Sequence, residues 1–126
     1  MRSIDANIIL RLLLHDHPEQ EELARDVLTR PAMLLATVIL EIVWVLQGKG
    51  WSREHISRGF RDLLELEHLF VPDEAALIWV SERFEHGGDF ADMFHVALSG
   101  GATYFTTFDR KLQNYCRGGP VPVETL

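Results

Sequence analysis

Short apolar segments able to form buried strands alternate along this chain with longer segments whose apolar residues recur at helical spacing. That alternation restricts the fold more than any other feature. Met1 to Ile4 reads as a short buried strand, followed by Met33 to Ala36, His68 to Val71, Tyr104 to Thr107 and Val121 to Val123. Ala6 to Leu14 is apolar enough to be a helix packed on a sheet, and Pro18 opens a second helix with Leu23, Ala24, Val27 and Leu28 as its stripe. Thr37 can cap a helix running to about Gln47, which Gly48-Lys49-Gly50 stops. Ser52 caps another, with Ile56, Phe60, Leu63 and Leu64 on one face. Pro72-Asp73 starts the next, with Leu77, Val80 and Phe84 inward, and Gly87-Gly88 breaks it. Asp89 caps a helix closed by Gly100-Gly101, and Arg110 to Asn114 forms a short one. This order predicts a three-layer α/β/α fold with a central parallel sheet covered on both faces. With 126 residues, no repeat and no long linker, the chain reads as a single domain, 1–126.

Acids mark the junctions of this pattern. Asp5 follows the first strand, Asp89 and Asp92 open an apolar helix, and Asp109 follows the fourth strand two residues after Thr107. In an open α/β fold such points gather at the carboxyl ends of parallel strands, where ligands bind. Crowded carboxylates repel and are costly to desolvate, so a cluster calls for a cation, and oxygen-only donors suit Mg²⁺ or Mn²⁺. Each acid also has a plain structural explanation. Asp5, Asp89 and Asp109 can be helix N-caps, and Asp92 is favourable in a first turn. Asn7 fits a turn, although its amide could orient a carboxylate or a water. Glu41 is harder to explain as structure, because it sits in the apolar run Val38 to Leu46 and glutamate is rarely buried alone. An exposed position or a dipole contact near the helix start is its alternative. His95, three residues after Asp92 on an apolar helix, reads as a core residue.

Charge separates some classes of partner. Twelve basic against nineteen acidic residues give a net charge of −7, which argues against a protein living by non-specific nucleic-acid binding. It leaves a nuclease open, since five of the negative charges belong to Asp5, Glu41, Asp89, Asp92 and Asp109 and would be partly offset by metal. The single cysteine, Cys116, allows no internal disulfide and suits a reducing cytoplasm. No apolar stretch approaches the roughly 18 residues of a membrane span.

The ordered set of motifs resembles a known family. Asp5-Ala6-Asn7, Glu41 before Val43-Trp44-Val45-Leu46, Asp89-Phe90-Ala91-Asp92 and Thr107-Phe108-Asp109-Arg110-Lys111-Leu112 together look like PIN-domain ribonucleases, specifically VapC-type toxins of toxin–antitoxin pairs. The resemblance implies catalytic carboxylates at Asp5, Glu41, Asp92 and Asp109, with Asp5, Asp92 and Asp109 closest to metal. It gives supporting places to Asp89 and to the hydroxyl of Thr107. Arg110 and Lys111 would steady an RNA backbone, although a solvated pair is the ordinary meaning of such residues. Ala6 departs from the family, where Thr or Ser is common. The implied activity is a Mg²⁺- or Mn²⁺-dependent endoribonuclease, with a VapB-like antitoxin as partner and a homodimer as its state. Trp44, Trp51 and Trp79 are available for an interface, with core packing their default role. The alternative is a non-catalytic PIN-like protein-binding module, whose mark would be missing carboxylates. A phosphatase would want a second aspartate where Asn7 stands, and a receiver domain would want paired acids near Asp5.

Overall fold

A computed structural model describes residues 1–126, which divide into two compact units, Met1–Glu74 and Ala75–Leu126. The first unit runs β1 (Arg2–Ser3), α1 (Ala6–Leu14), α2 (Pro18–Val27), β2 (Ala32–Met33), α3 (Ala36–Gly48), α4 (Arg53–Leu64) and β3 (Leu69–Phe70). Its strands form a parallel sheet in the order β1-β2-β3, registered Arg2 to Ala32 to Leu69 and Ser3 to Met33 to Phe70. The ladder extends one step further, as Ile4 N–H donates to Met33 O at 3.0 Å and Leu34 N–H to Phe70 O at 2.9 Å. Each strand is shorter than its apolar segment suggests. Arg2 and Ser3 are exposed and Phe70 faces solvent, whereas Ala32 in the middle strand is buried, as are Ile4, Leu34 and Val71 where the strands end. Ile9, Ile39, Ile42, Leu46, Ile56 and Phe60 fill the core of this unit.

Local chemistry sets the helix starts. Asp5 caps α1 and Ser52 caps α4, its hydroxyl accepting from His55 N–H at 3.1 Å. Thr37 does not cap α3. The preceding Leu35 is already extended and its carbonyl accepts from Ile39 N–H at 3.0 Å, so the helix begins at Ala36 without a side-chain cap. The stripe expected on α2 is also narrower than its sequence suggests. Ala24 is buried and Val27 and Leu28 are half-buried, but Leu23 faces solvent. At the α1–α2 junction His15 closes α1 in the left-handed region, φ 53°, and its imidazole pairs with Glu21. That hydrogen bond, helped by the positive charges of His15 and Arg25, holds the Glu21 carboxyl below its ordinary value.

The second unit contains α5 (Glu74–Glu85, all but its first residue), α6 (Phe90–Ala97), β4 (Phe105–Thr107), a 3₁₀ turn (Leu112–Asn114) and β5 (Val123–Thr125). Here β4 and β5 pair in parallel, with Phe105 opposite Val123 and Thr107 opposite Thr125. The last strand begins at Val123 rather than Val121. Pro122 has no N–H to give the ladder, and instead its carbonyl accepts from Phe105 N–H at 2.8 Å. Val121 is buried as packing. The helix expected over Arg110 to Asn114 is reduced to the 3₁₀ turn, and α6 stops before Gly100-Gly101, with Leu98 N–H closing onto Phe94 and Val96.

Phe84, Phe90 and Phe94 form the aromatic centre of this unit, Phe90 meeting Phe84 edge-on at 5.3 Å and Phe94 at 5.8 Å between centroids. Cys116 is buried, 3.8 Å from Met93 Sδ, and burial pushes its thiol pKa up, so packing accounts for it. Close approach fixes Gly119: an added Cβ would lie 2.8 Å from Trp79 Cζ2 and 3.0 Å from the Cys116 carbonyl oxygen. A backbone carbonyl cannot swing aside as a side chain can. Gly119→Ala is therefore expected to destabilise the protein by about 1–3 kcal/mol, the scale of overpacking. Urea unfolding with an unchanged slope and a lower midpoint would register it.

No helix of the protein is long and apolar enough to cross a membrane.

Candidate carboxylate site

The second unit assembles the densest group of acids. Its foundation is the turn from α5 into α6. Gly87 takes φ 112°, a conformation open to glycine, and Gly88 approaches Met93 so closely that a Cβ would meet its Cγ and Sδ at 3.0 Å. The chain then enters α6 at Asp89, whose Oδ2 accepts from Asp92 N–H at 3.0 Å while its carbonyl accepts from Met93 N–H at 2.9 Å. Both acids are thereby fixed at the first turn of a helix anchored by buried Phe90, Met93, Phe94 and Val96.

Asp109 arrives from β4. Thr107 ends the strand, and its Oγ1 accepts from Asp109 N–H at 3.0 Å; Asp109 Oδ1 in turn accepts from Lys111 N–H at 2.9 Å. The first of these side-chain-to-backbone bonds closes a tight turn over Phe108 and the second a turn over Arg110. Phe108 itself packs on nothing substantial: its side chain is 81% exposed.

Asp92 is the electrostatic focus. Its pKa is raised, first by loss of hydration and then by the negative charges of Asp89 and Asp109, with only His95 opposing. No lysine or arginine contributes to that balance. The structure thus brings Asp89, Asp92 and Asp109 within electrostatic reach of one another, with Thr107 supporting the last. Arg110 and Lys111 follow on the exposed surface.

The remaining acids belong to the first unit. Asp5 lies just past the carboxyl end of β1, exposed, with Oδ1 accepting from the amides of Asn7 at 3.0 Å and Ile8 at 3.4 Å. Asn7 is exposed in the first turn of α1 and supplies Asp5 with that backbone donor. Glu41 is not buried by its apolar neighbours. It stands on the exposed face of α3 with Thr37 and Trp44, and Trp44 is 77% exposed.

Within neither unit do three carboxylate, imidazole or thiol side chains converge closely enough to hold a metal. The donor chemistry nevertheless fits a hard divalent ion. Asp5, Asp89 and Asp109 each commit one carboxylate oxygen to the backbone, Asp5 to two N–H groups and the others to one, which orients the group and leaves the second oxygen available. Asp92, the residue with unbalanced repulsion, accepts no hydrogen bond that would compete with a cation.

Parallel strands alternating with helices, with acids at strand ends and helix starts, define an α/β protein. A model of the PIN domain matches residues 3–118, running through both units, and the chain belongs to the PIN domain family, with the three-layer α/β/α fold class that membership carries. PIN domains are generally nucleases, and PIN nucleases typically use divalent metals. No curated protein and no solved structure matches the chain.

Proposed function

We propose that this protein is a Mg²⁺- or Mn²⁺-dependent endoribonuclease of the VapC type, hydrolysing RNA phosphodiester bonds as the toxin of a toxin–antitoxin pair. The observation that carries the reading is Asp92. A half-buried carboxylate at a helix start, its pKa raised by loss of hydration and by two neighbouring acids and opposed by His95 alone, is the environment a divalent cation relieves. Membership in a family of nucleases gives that environment its chemistry.

In this reading Asp92 and Asp109 hold the ion, and Asp89 acts beside them while keeping α6 capped. Thr107 positions Asp109 through the N–H it accepts. Asp5 and Glu41 join the catalytic set by resemblance, Asp5 as a metal ligand and Glu41 as a carboxylate acting on the water. A bound divalent ion supplies a water of lowered pKa and counter-charge for the phosphate. Arg110 and Lys111 steady the RNA backbone. The same resemblance supports a VapB-like antitoxin, a homodimer and a cytoplasmic location.

The test is cleavage of RNA by purified protein. Cleavage is expected with Mg²⁺ or Mn²⁺ and should stop in excess chelator while the circular dichroism spectrum is unchanged. Sustained cleavage in chelator would sink the metal-dependent reading. A protein that binds Mn²⁺ without cutting any RNA offered to it would favour the non-catalytic module.

A further inference from the structure

We propose that Phe108 is a base-stacking platform, on whose ring one base of the RNA strand lies. The inference rests on the nuclease reading and adds to it a substrate-binding residue. Phe108 is the most exposed of the large hydrophobic side chains, at 81%, and it stands between Thr107 and Asp109 in the turn that carries a proposed metal ligand. An exposed aromatic ring forgoes the favourable transfer of its apolar face out of water until something covers it. The backbone that presents the ring is fixed, because Thr107 Oγ1 accepts from Asp109 N–H across Phe108 at 3.0 Å and Asp109 Oδ1 accepts from Lys111 N–H across Arg110 at 2.9 Å.

The neighbouring charges select what covers the ring. Arg110 and Lys111 follow directly and are exposed, with no ion pair to an acid. A flat apolar face beside two free cations is the combination that binds single-stranded nucleic acid, where a base stacks and the flanking phosphates meet positive charge. A base in a duplex is already stacked on both faces and offers its edges alone, so the ring would gain nothing from it. On a protein of net charge −7, a local aromatic and basic turn directs the strand to the carboxylates.

The experiment measures binding and cleavage separately. Fluorescence anisotropy in chelator would use three labelled probes: an unstructured 15-nucleotide oligouridylate, a 15-base-pair RNA duplex, and an abasic ribose-phosphate chain of the same length. Wild type, Phe108→Ala and Phe108→Trp would be compared, each checked for oligomeric state by sedimentation. Phe108→Ala is expected to weaken oligouridylate binding by about 5- to 150-fold, the fold-change equivalent of losing one base–aromatic stack. Its binding to the duplex and the abasic chain should be unchanged, and Phe108→Trp should bind the oligouridylate as well as wild type or better. With metal, the alanine variant should show a raised KM and a kcat close to wild type. Equal binding of oligouridylate by wild type and Phe108→Ala would overturn the proposal, as would equal weakening on the abasic chain. A change of oligomeric state in Phe108→Ala would also overturn it, by making the ring part of a protein interface. If wild type cleaves RNA and Phe108→Ala cleaves it with the same KM, only the stacking role fails. If wild type neither binds nor cleaves RNA, the nuclease reading fails with it.

Discussion

Asp92→Asn is expected to abolish RNA cleavage and, in chelator, to leave the protein as stable as wild type or more so. The two effects share one cause. Ionised Asp92 faces lost hydration and the charges of Asp89 and Asp109, which raise its pKa above the ordinary 3.8. An acid with a raised folded pKa costs stability while ionised; the cost is relieved as the pH falls through the folded value toward 3.8, where the unfolded chain also takes up the proton. Wild type in chelator should therefore gain stability on acidification through that window, and Asp92→Asn should lack this gain. The amide has the shape of the carboxylate but cannot supply its charge to a cation. A loss of at least about 10²-fold in kcat is expected, the scale on which single electrostatic groups act on a transition state. Asp89→Asn is the control. Asparagine caps a helix about as well as aspartate, so its melting should change little and its activity should fall only partly. Thermal melting in chelator and cleavage in Mg²⁺, run on both variants, separate the outcomes. Full activity in Asp92→Asn would remove the central residue from the mechanism and leave first-turn dipole compensation as its role.

Phe84→Ala should act in the opposite sense, through the fold. Phe84 is fully buried and meets Phe90 edge-on, and Phe90 in turn meets Phe94, so the ring supports the helix whose first turn carries Asp92. Removing it forfeits transfer energy and leaves a cavity, a loss of about 3–5 kcal/mol for a buried phenylalanine. Against a total stability of about 5–15 kcal/mol for a domain, that is a large fraction. The expected result is a markedly lower urea midpoint, with activity falling in step with the folded population. Phe84→Leu, which refills most of the space, should recover much of both. A variant that kept wild-type stability would show that α6 does not depend on this aromatic contact.

What the sequence reveals and what it conceals follow the range of the forces involved. Caps at Asp5, Ser52 and Asp89 are legible because a side chain accepting an N–H two or three residues ahead is decided locally. The parallel pairing of β4 with β5 is not local, and Val121 carried the apolar signal of a strand although Pro122 displaces the ladder to Val123. Likewise Leu23 matches a helical stripe by spacing, but whether a neighbour covers it is a tertiary matter, and it is 66% exposed. Glu41 shows the same blindness in reverse. In a helix apolar on nearly every side, the sequence gives no sign of which side meets water, and the structure puts Glu41 there with Trp44. Among the acids, the mutual influence of Asp89, Asp92 and Asp109 was foreseeable from their places at strand end and helix start. The exposure of Phe108 was not, because an aromatic between Thr107 and Asp109 reads equally well as core.

The hydrogen bonds that Asp89 and Asp109 accept from backbone amides have an evolutionary consequence. Each carboxylate serves the backbone with one oxygen and is offered to chemistry with the other. Asparagine can keep the first service while withdrawing the second, and an aspartate codon becomes an asparagine codon by one base change. At Asp109, the proposed metal ligand of the two, a descendant of this chain could thus lose catalysis in a single step with its turn intact. It would persist as a folded surface free to be selected for binding alone. Silent, well-folded members are what such an architecture permits, because the scaffold does not require the acid's charge.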